Sequence, residues 1–242
     1  MNSKSLLLVG SLYARAVGTT GAFFPLLNGK AEITHSLDTQ DVPNYGRTGG
    51  GKDQILSRVK DVKVELELWR WDKRNWALAL GAPESAIVDT APVVDEAHVA
   101  YVGGMVRLNH VASAITGVKD ASNAACIEGT DYKLVPGGLI PLEGGSIADG
   151  EAIKVSYTKA AYINYQACTR LDAELECFYV GENENDGNKL VTADFHRLYV
   201  PPTDKIALMG EKLQSLKLKA ELLADTTKGQ GLSAFYSLRA QV

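Results

Sequence analysis

The chain has 242 residues, 45% of them hydrophobic, with a net charge of −4 and a pI near 5.6. That content supports a packed core in one large β domain or two smaller ones and excludes a disordered chain. The slightly acidic balance argues against a protein that grips duplex DNA, which would carry a basic patch, and no apolar run approaches membrane-spanning length, so no membrane partner is expected.

At the N-terminus, Lys4, Leu6 to Val9 and Ala14-Arg15-Ala16 loosely imitate a secretion signal. The apolar stretch is short and is cut by Gly10 and Ser11, so it reads as a short first strand instead. A strand is expected at Ala31 to Leu37, followed by a long, polar, glycine-rich loop from Thr39 to Asp53. Next comes the clearest alternation, Val59 to Trp71, with Val62, Val64, Leu66 and Leu68 on one face and Lys63, Glu65, Glu67, Trp69 and Trp71 on the other. Asp72 can cap a helix over Lys73 to Leu80, with Trp76 and Leu80 at i, i+4, and Gly81 then Pro83 end it. The three tryptophans straddling this junction read as packing between helix and sheet.

From Val93 to Ala160 the texture changes to short strands with Gly-Gly turns at Gly103-Gly104, Gly137-Gly138 and Gly144-Gly145. Turns at that density predict a small, immunoglobulin-like β-sandwich inserted into a larger domain. The domains expected are therefore residues 1–92 with 161–242, a discontinuous core, and an insert at 93–160. After the insert, alternation predicts strands at Thr169 to Val180 and Val191 to Val200, joined by an acidic turn at Glu182 to Asn188. Lys205 to Ala224 reads as two strands, the second with Leu216, Leu218, Ala220 and Leu222 on one face. A polar loop at Ala224 to Gly231 and a strand within Ser233 to Val242 close the chain.

Motifs that could carry chemistry are incomplete. Gly46-Arg47-Thr48-Gly49-Gly50-Gly51-Lys52 matches most of a phosphate-binding loop, but Asp53 stands where a Mg²⁺-binding hydroxyl is needed, and a strand is expected to follow rather than a helix. Glu182, Glu184, Asp186 and Gly187 begin like a calcium loop, but Ala193 occupies the position of its bidentate glutamate. Cys126, Cys168 and Cys177 lack C-x-x-C spacing, and His35, His98, His110 and His196 form no H-x-x-x-H pair. No G-x-S-x-G elbow is present. The pairs Glu65 with Glu67 and Glu174 with Glu176 could serve acid–base chemistry, but solvated strand faces look the same. No catalytic residue, metal or cofactor is expected.

The order of elements resembles that of the major tail tube proteins of long-tailed bacteriophages: a short first strand, a strand, a long polar loop, a long strand, a short helix, and later strands. Local matches are Gly129-Thr130-Asp131-Tyr132 with Gly150 to Thr158, Tyr179-Val180-Gly181-Glu182-Asn183 with Asp194-Phe195-His196-Arg197-Leu198, Pro201-Pro202, and Leu222-Leu223-Ala224-Asp225. The resemblance implies a mainly β, tail-tube-type sandwich or barrel with one short helix. It also implies a non-enzymatic virion protein that forms hexameric rings and stacks them into a tube through which DNA leaves the virion. Its partners would be further copies of itself, tape-measure, terminator and baseplate or initiator proteins, with double-stranded DNA passing through unbound. Tyr45, Gly46, Arg47, Gly49, Gly50, Gly51 and Lys52 would then form an inter-ring stacking loop. Glu65 and Glu67, or Glu174 and Glu176, would face the lumen, where negative charge keeps DNA from sticking. Another tail or baseplate ring protein of the same fold, or a host-surface binding module using the insert, remains an alternative.

Overall fold

Alternating residues, interrupted by glycine turns, give a structure built mainly of antiparallel strands, with one α-helix among the described residues. The computed structural model describes residues 5–26, 29–46, 51–70, 72–83, 86–211 and 213–241. The chain divides into two compact units, Met1–Glu84 with Tyr165–Val242, and Ser85–Asn164.

The first unit begins with β1 (Leu8–Ala16), β2 (Phe24–Leu26), β3 (Gly29–Pro43), β4 (Lys52–Leu68) and α1 (Lys73–Leu80). The second holds β5 (Ile87–Val88), β6 (Pro92–Ala100), β7 (Val106–Arg107), β8 (Ala112–Lys119), β9 (Tyr132–Val135), β10 (Gly138–Pro141), β11 (Glu151–Lys159) and β12 (Tyr162–Ile163). The chain then returns to the first unit with β13 (Glu174–Asn183), β14 (Lys189–Tyr199), β15 (Leu216–Leu222) and β16 (Tyr236–Ala240).

In the first unit the strands run in the order β2-β1-β13-β14-β15-β4-β3, and β16 also pairs with β14. β14 is where the sheet divides. Val191 to Phe195 pair with β16, whereas only Leu198 and Tyr199 reach β15. The two halves enclose one core. Its centre is Val62, Val64, Leu66 and Leu68 of β4 with Leu216, Leu218, Ala220 and Leu222 of β15, the two apolar faces that alternation predicts. Leu175 and Cys177 of β13, with Phe195 and Leu198 of β14, complete it. Burial raises the Cys177 thiol to about 12, so it stays protonated and acts as a small apolar group.

A helix as short as α1 is marginal in water by itself. Its ends are capped as the sequence predicts: the Asn75 amide donates to Asp72 Oδ1 at 2.8 Å, and Gly81 adopts the left-handed conformation at φ 57°. Ala77 and Ala79 are buried and Leu78 packs on the core. A Cβ at Gly81 would lie 2.5 Å from Pro202 Cγ. Gly81→Ala is therefore expected to destabilise this unit by about 1–2 kcal/mol from backbone conformation alone, with an added term for displacing Pro202. A melting curve checks it.

The second unit has two three-stranded sheets, β7-β10-β9 and β6-β11-β8, and a two-stranded ladder of β5 and β12. Ile153, Val155 and Tyr157 of β11 join Leu139 of β10 and Val118 of β8 in a single core. The unit begins before residue 93 and ends after residue 160, because β5 and β12 pair where the chain enters and leaves it. Tyr157 Oη donates to Glu96 Oε2 at 2.6 Å, and His98 Nε2 lies 2.6 Å from Glu96 Oε1. Burial, then the bond to Glu96, pushes the Tyr157 phenol up to about 12.

Asp131 staples this unit together. Its carboxylate accepts the amides of Ile127 at 2.6 Å and Ser146 at 2.8 Å, and these two bonds hold its pKa below the ordinary carboxylate range. A folded-state pKa lowered in this way stabilises the fold above the unfolded value of about 3.9, and the gain disappears as pH falls through the folded value. Asp131→Asn is expected to weaken the unit at pH 7 and to flatten its loss of stability below about pH 4. Hydrogen exchange of the Ile127 and Ser146 amides against pH measures this.

Several expectations are corrected. Residues 39–43 and 52–53 belong to β3 and β4, so both ends of the expected Thr39 to Asp53 loop are strand. Residues 169–173 precede β13, and Leu171 is exposed because no strand carries it to the core. Of the two strands expected in Lys205 to Ala224, only Leu216–Leu222 forms among the described residues. Ile206 does reach the core, but its neighbours Leu208 and Met209 are exposed. Trp69 is half exposed, Trp76 stacks on Tyr165 with centroids 6.5 Å apart, and Trp71 lies outside the described residues. The buried side of α1 is Asn75, Ala77 and Ala79, not Trp76 and Leu80. The acidic turn contains a 3-10 turn at Glu184–Asp186, closed by Gly187 at φ 64°.

Candidate functional site

β3 and β4 form a hairpin much longer than the core they pack on. Their pairing runs from Gly29 opposite Leu68 to Pro43 opposite Lys52. β15 supports β4 only from Lys63 to Leu68. Beyond that point the hairpin is a ribbon of two strands. Every residue of β4 from Lys52 to Lys60 is exposed, and so is every residue from Leu37 to Asp41 on β3. A two-stranded ribbon with both faces in water is marginal by itself. This one carries Leu37 at 58%, Ile55 at 54%, Leu56 at 48% and Val59 at 49% exposure. Leu37 lies opposite Val59, and Ile55 shares that face of β4 two positions at a time. Leu37, Ile55 and Val59 thus stand exposed on one face, beside Thr39, Ser57 and Asp41, with nothing packed on them among the described residues.

The tip is tied locally. The Asn44 amide donates to the Gly51 carbonyl at 2.9 Å, and the Gly46 amide donates to Asn44 Oδ1 at 2.9 Å. Tyr45 is 91% exposed. Gly51 sits at φ 122°, a conformation open to glycine. Lys52, expected in the loop, is the first residue of β4 and pairs with Asp41 at 2.6 Å. Arg47, Gly49 and Gly50 lie outside the described residues. A strand begins directly after Gly51, so the phosphate-loop pattern lacks its helix.

The four glutamates lie on strand faces turned from the core. Glu67, Glu174 and Glu176 are each paired with a cation, whereas the lysine beside Glu65 binds another acid. Glu65 stands opposite Lys219 and Glu67 opposite Lys217, with Glu32 and Lys30 on the other side. Ser215 Oγ donates to Glu67 at 2.5 Å. Lys219 binds Asp204 at 2.7 Å, which holds its ammonium above the usual lysine range. On β13, Arg197 makes two bonds to Glu174 at 2.9 and 3.0 Å, and Arg15 meets Glu176 at 2.8 Å. Sequence reasoning found the glutamates but not their partners, which come from strands far away in the chain. The exposed apolar residues of the ribbon were missed as well. The adjacent Ile55 and Leu56 in a stretch without alternation were the available signal.

Among the described residues, no group of three or more His, Cys, Asp or Glu is placed to hold a metal ion, and no helix is long and apolar enough to cross a membrane. A family described as "protein of unknown function UCP028589" matches residues 5–239. The chain belongs to that family. No curated protein matches the chain. The family match spans both units, so the ribbon, the charged strand faces and the inserted sheets all fall within it.

Proposed function

We propose that the chain is the repeating subunit of a bacteriophage tail tube, working by ring formation and stacking rather than by catalysis. The observation that carries this reading is the β3–β4 ribbon. A monomer gains nothing from extending a hairpin with exposed apolar side chains beyond its core, whereas a subunit gains a contact with its neighbour. Such a contact joins two different surfaces, so it propagates and builds rings or tubes. On this reading the first unit is the tail-tube-type β domain and the second an immunoglobulin-like decoration. The bore is lined by paired charges, which resist binding to DNA because each lysine or arginine already has a carboxylate partner. The assembly belongs in the virion.

Negative-stain electron microscopy of the purified protein, fresh and concentrated, tests the proposal. Uniform hollow tubes or six-fold rings are the expected result. Closed rings that never stack would favour a baseplate or completion ring instead. A protein that stays monomeric throughout the concentration series, seeded with preformed tails or not, would remove both readings.

A further inference from the structure

The first unit's sheet does not close on itself. β1 pairs with β2 only through Leu12, Tyr13 and Ala14, opposite Leu26, Pro25 and Phe24. Leu8 to Ser11 pair with β13 on one side and with no strand on the other among the described residues. β3 begins just past β2, at Gly29, and pairs with β4 alone. The two edges therefore diverge from the contact of Leu12 with Leu26. A cavity of about 480 Å³ lies between them, lined by both strands and by core residues.

The register shows which side chains face this gap. Leu8, Gly10, Leu12 and Ala14 share one face of β1; Ala14 is fully buried and Leu12 half-buried, yet Gly10 and Leu8 are exposed. Gly29, Ala31 and Ile33 stand opposite Leu68, Leu66 and Val64, all buried, and so point to the same side. Gly29 and Ala31 are nevertheless exposed. Core-facing positions of both edge strands look out through the opening. A small apolar molecule could cover these side chains but would leave two rows of backbone donors and acceptors unpaired. An extended peptide satisfies both requirements.

The chain carries a segment suited to this. Leu208 and Met209 are 85% and 93% exposed, the most exposed adjacent apolar pair among the described residues. They lie in Ala207 to Gly210, which follows the core-packed Ile206, forms no strand or helix and does not line the gap of its own molecule. Methionine adapts to irregular apolar surfaces. Lys30 and Glu32 at the gap already pair with each other, so the exposed apolar side chains and the open backbone edges carry the contact.

We infer that residues Ala207 to Gly210 of a second copy, next to the Ile206 anchor, enter the gap between Leu8–Ser11 and Gly29–Ile33 as an added strand. Donor and acceptor are different surfaces, so each copy can give and receive, and the contact extends to a ring or a chain. The inference rests on the two open edges and goes beyond the tube reading, since any assembly with this contact satisfies it.

The test places a photo-crosslinking amino acid at position 209 of the full chain and maps the products by mass spectrometry across a concentration series. The expected products are intermolecular links to residues 8–12 or 29–33, reduced at least ten-fold by Ala31→Arg. Ala31 is exposed, so this change obstructs the gap without disturbing the core. Leu208→Asp with Met209→Asp is expected to weaken self-association at least ten-fold while leaving the melting temperature unchanged. Links elsewhere, links within one molecule only, or no links would overturn the inference. Links to the gap in assemblies that are not tubes would uphold it and sink the tube reading. Tubes without these links would do the reverse.

Discussion

Replacing Ile55 and Val59 with aspartate is expected to leave the subunit folded and to abolish its assembly. Both side chains are about half exposed, on the stretch of β4 that β15 does not cover. Surface changes away from packed features alter stability by about 0.5 kcal/mol or less. The same changes replace two of the three exposed apolar side chains on the face shared with Leu37 by charges. At an interface each charge would be desolvated without a partner, which costs several kcal/mol. Since every 1.4 kcal/mol is a factor of ten in affinity, two such charges would weaken each contact by orders of magnitude. Melting curves of wild type and variant should superimpose, while sedimentation and electron microscopy should show only monomers. Tubes of normal appearance from the variant would remove the ribbon from the interface. A lowered melting temperature would mean that the ribbon is part of the fold itself.

The largest loss of stability in the first unit is expected from Leu218→Ala. Leu218 is fully buried at the centre of β15, opposite Leu66 of β4, where the two faces of the core meet. Truncating a leucine in such a place removes its transfer free energy and leaves a cavity, together about 2–5 kcal/mol. For a unit of this size that corresponds to a fall in melting temperature of roughly 5–15 °C. The neighbouring residue supplies the control. Lys219 points to the opposite face, and its ion pair with Asp204 is exposed on both sides. Lys219→Ala should therefore leave the melting temperature nearly unchanged. Calorimetry distinguishes the two, and similar losses from both would contradict the assigned facing of β15.

Where one face of a strand is buried, the sequence shows it. Val62 to Leu68 and Leu216 to Leu222 alternate because water contacts one side and the core the other, and the structure keeps those faces. The limits of α1 were legible for a similar local reason: Asp72 and Gly81 cap it through their own bonds and backbone angles. The ribbon was not legible, because neither face of residues 52–60 is buried and no period is imposed on them. A polar stretch with glycines then reads as loop even where two strands pair along it.

The site residues divide in the same way. Glu65, Glu67, Glu174 and Glu176 could be placed on outward faces from alternation alone. The pairing of Glu67 with Lys217, Glu176 with Arg15 and Glu174 with Arg197 depends on which strands lie side by side, and strand order is decided by the folding of the whole sheet. The open gap between β1 and β3 is likewise a property of that order. Each strand by itself carries enough apolar residues for a buried face, but only the divergence of the two edges beyond Leu12 and Leu26 leaves part of that face uncovered. The sequence determined the strand faces and helix ends, because local periodicity and capping arise from adjacent residues. The tertiary structure decided the ribbon, the charge pairing and the gap, because each depends on which distant segments fail or succeed in covering one another.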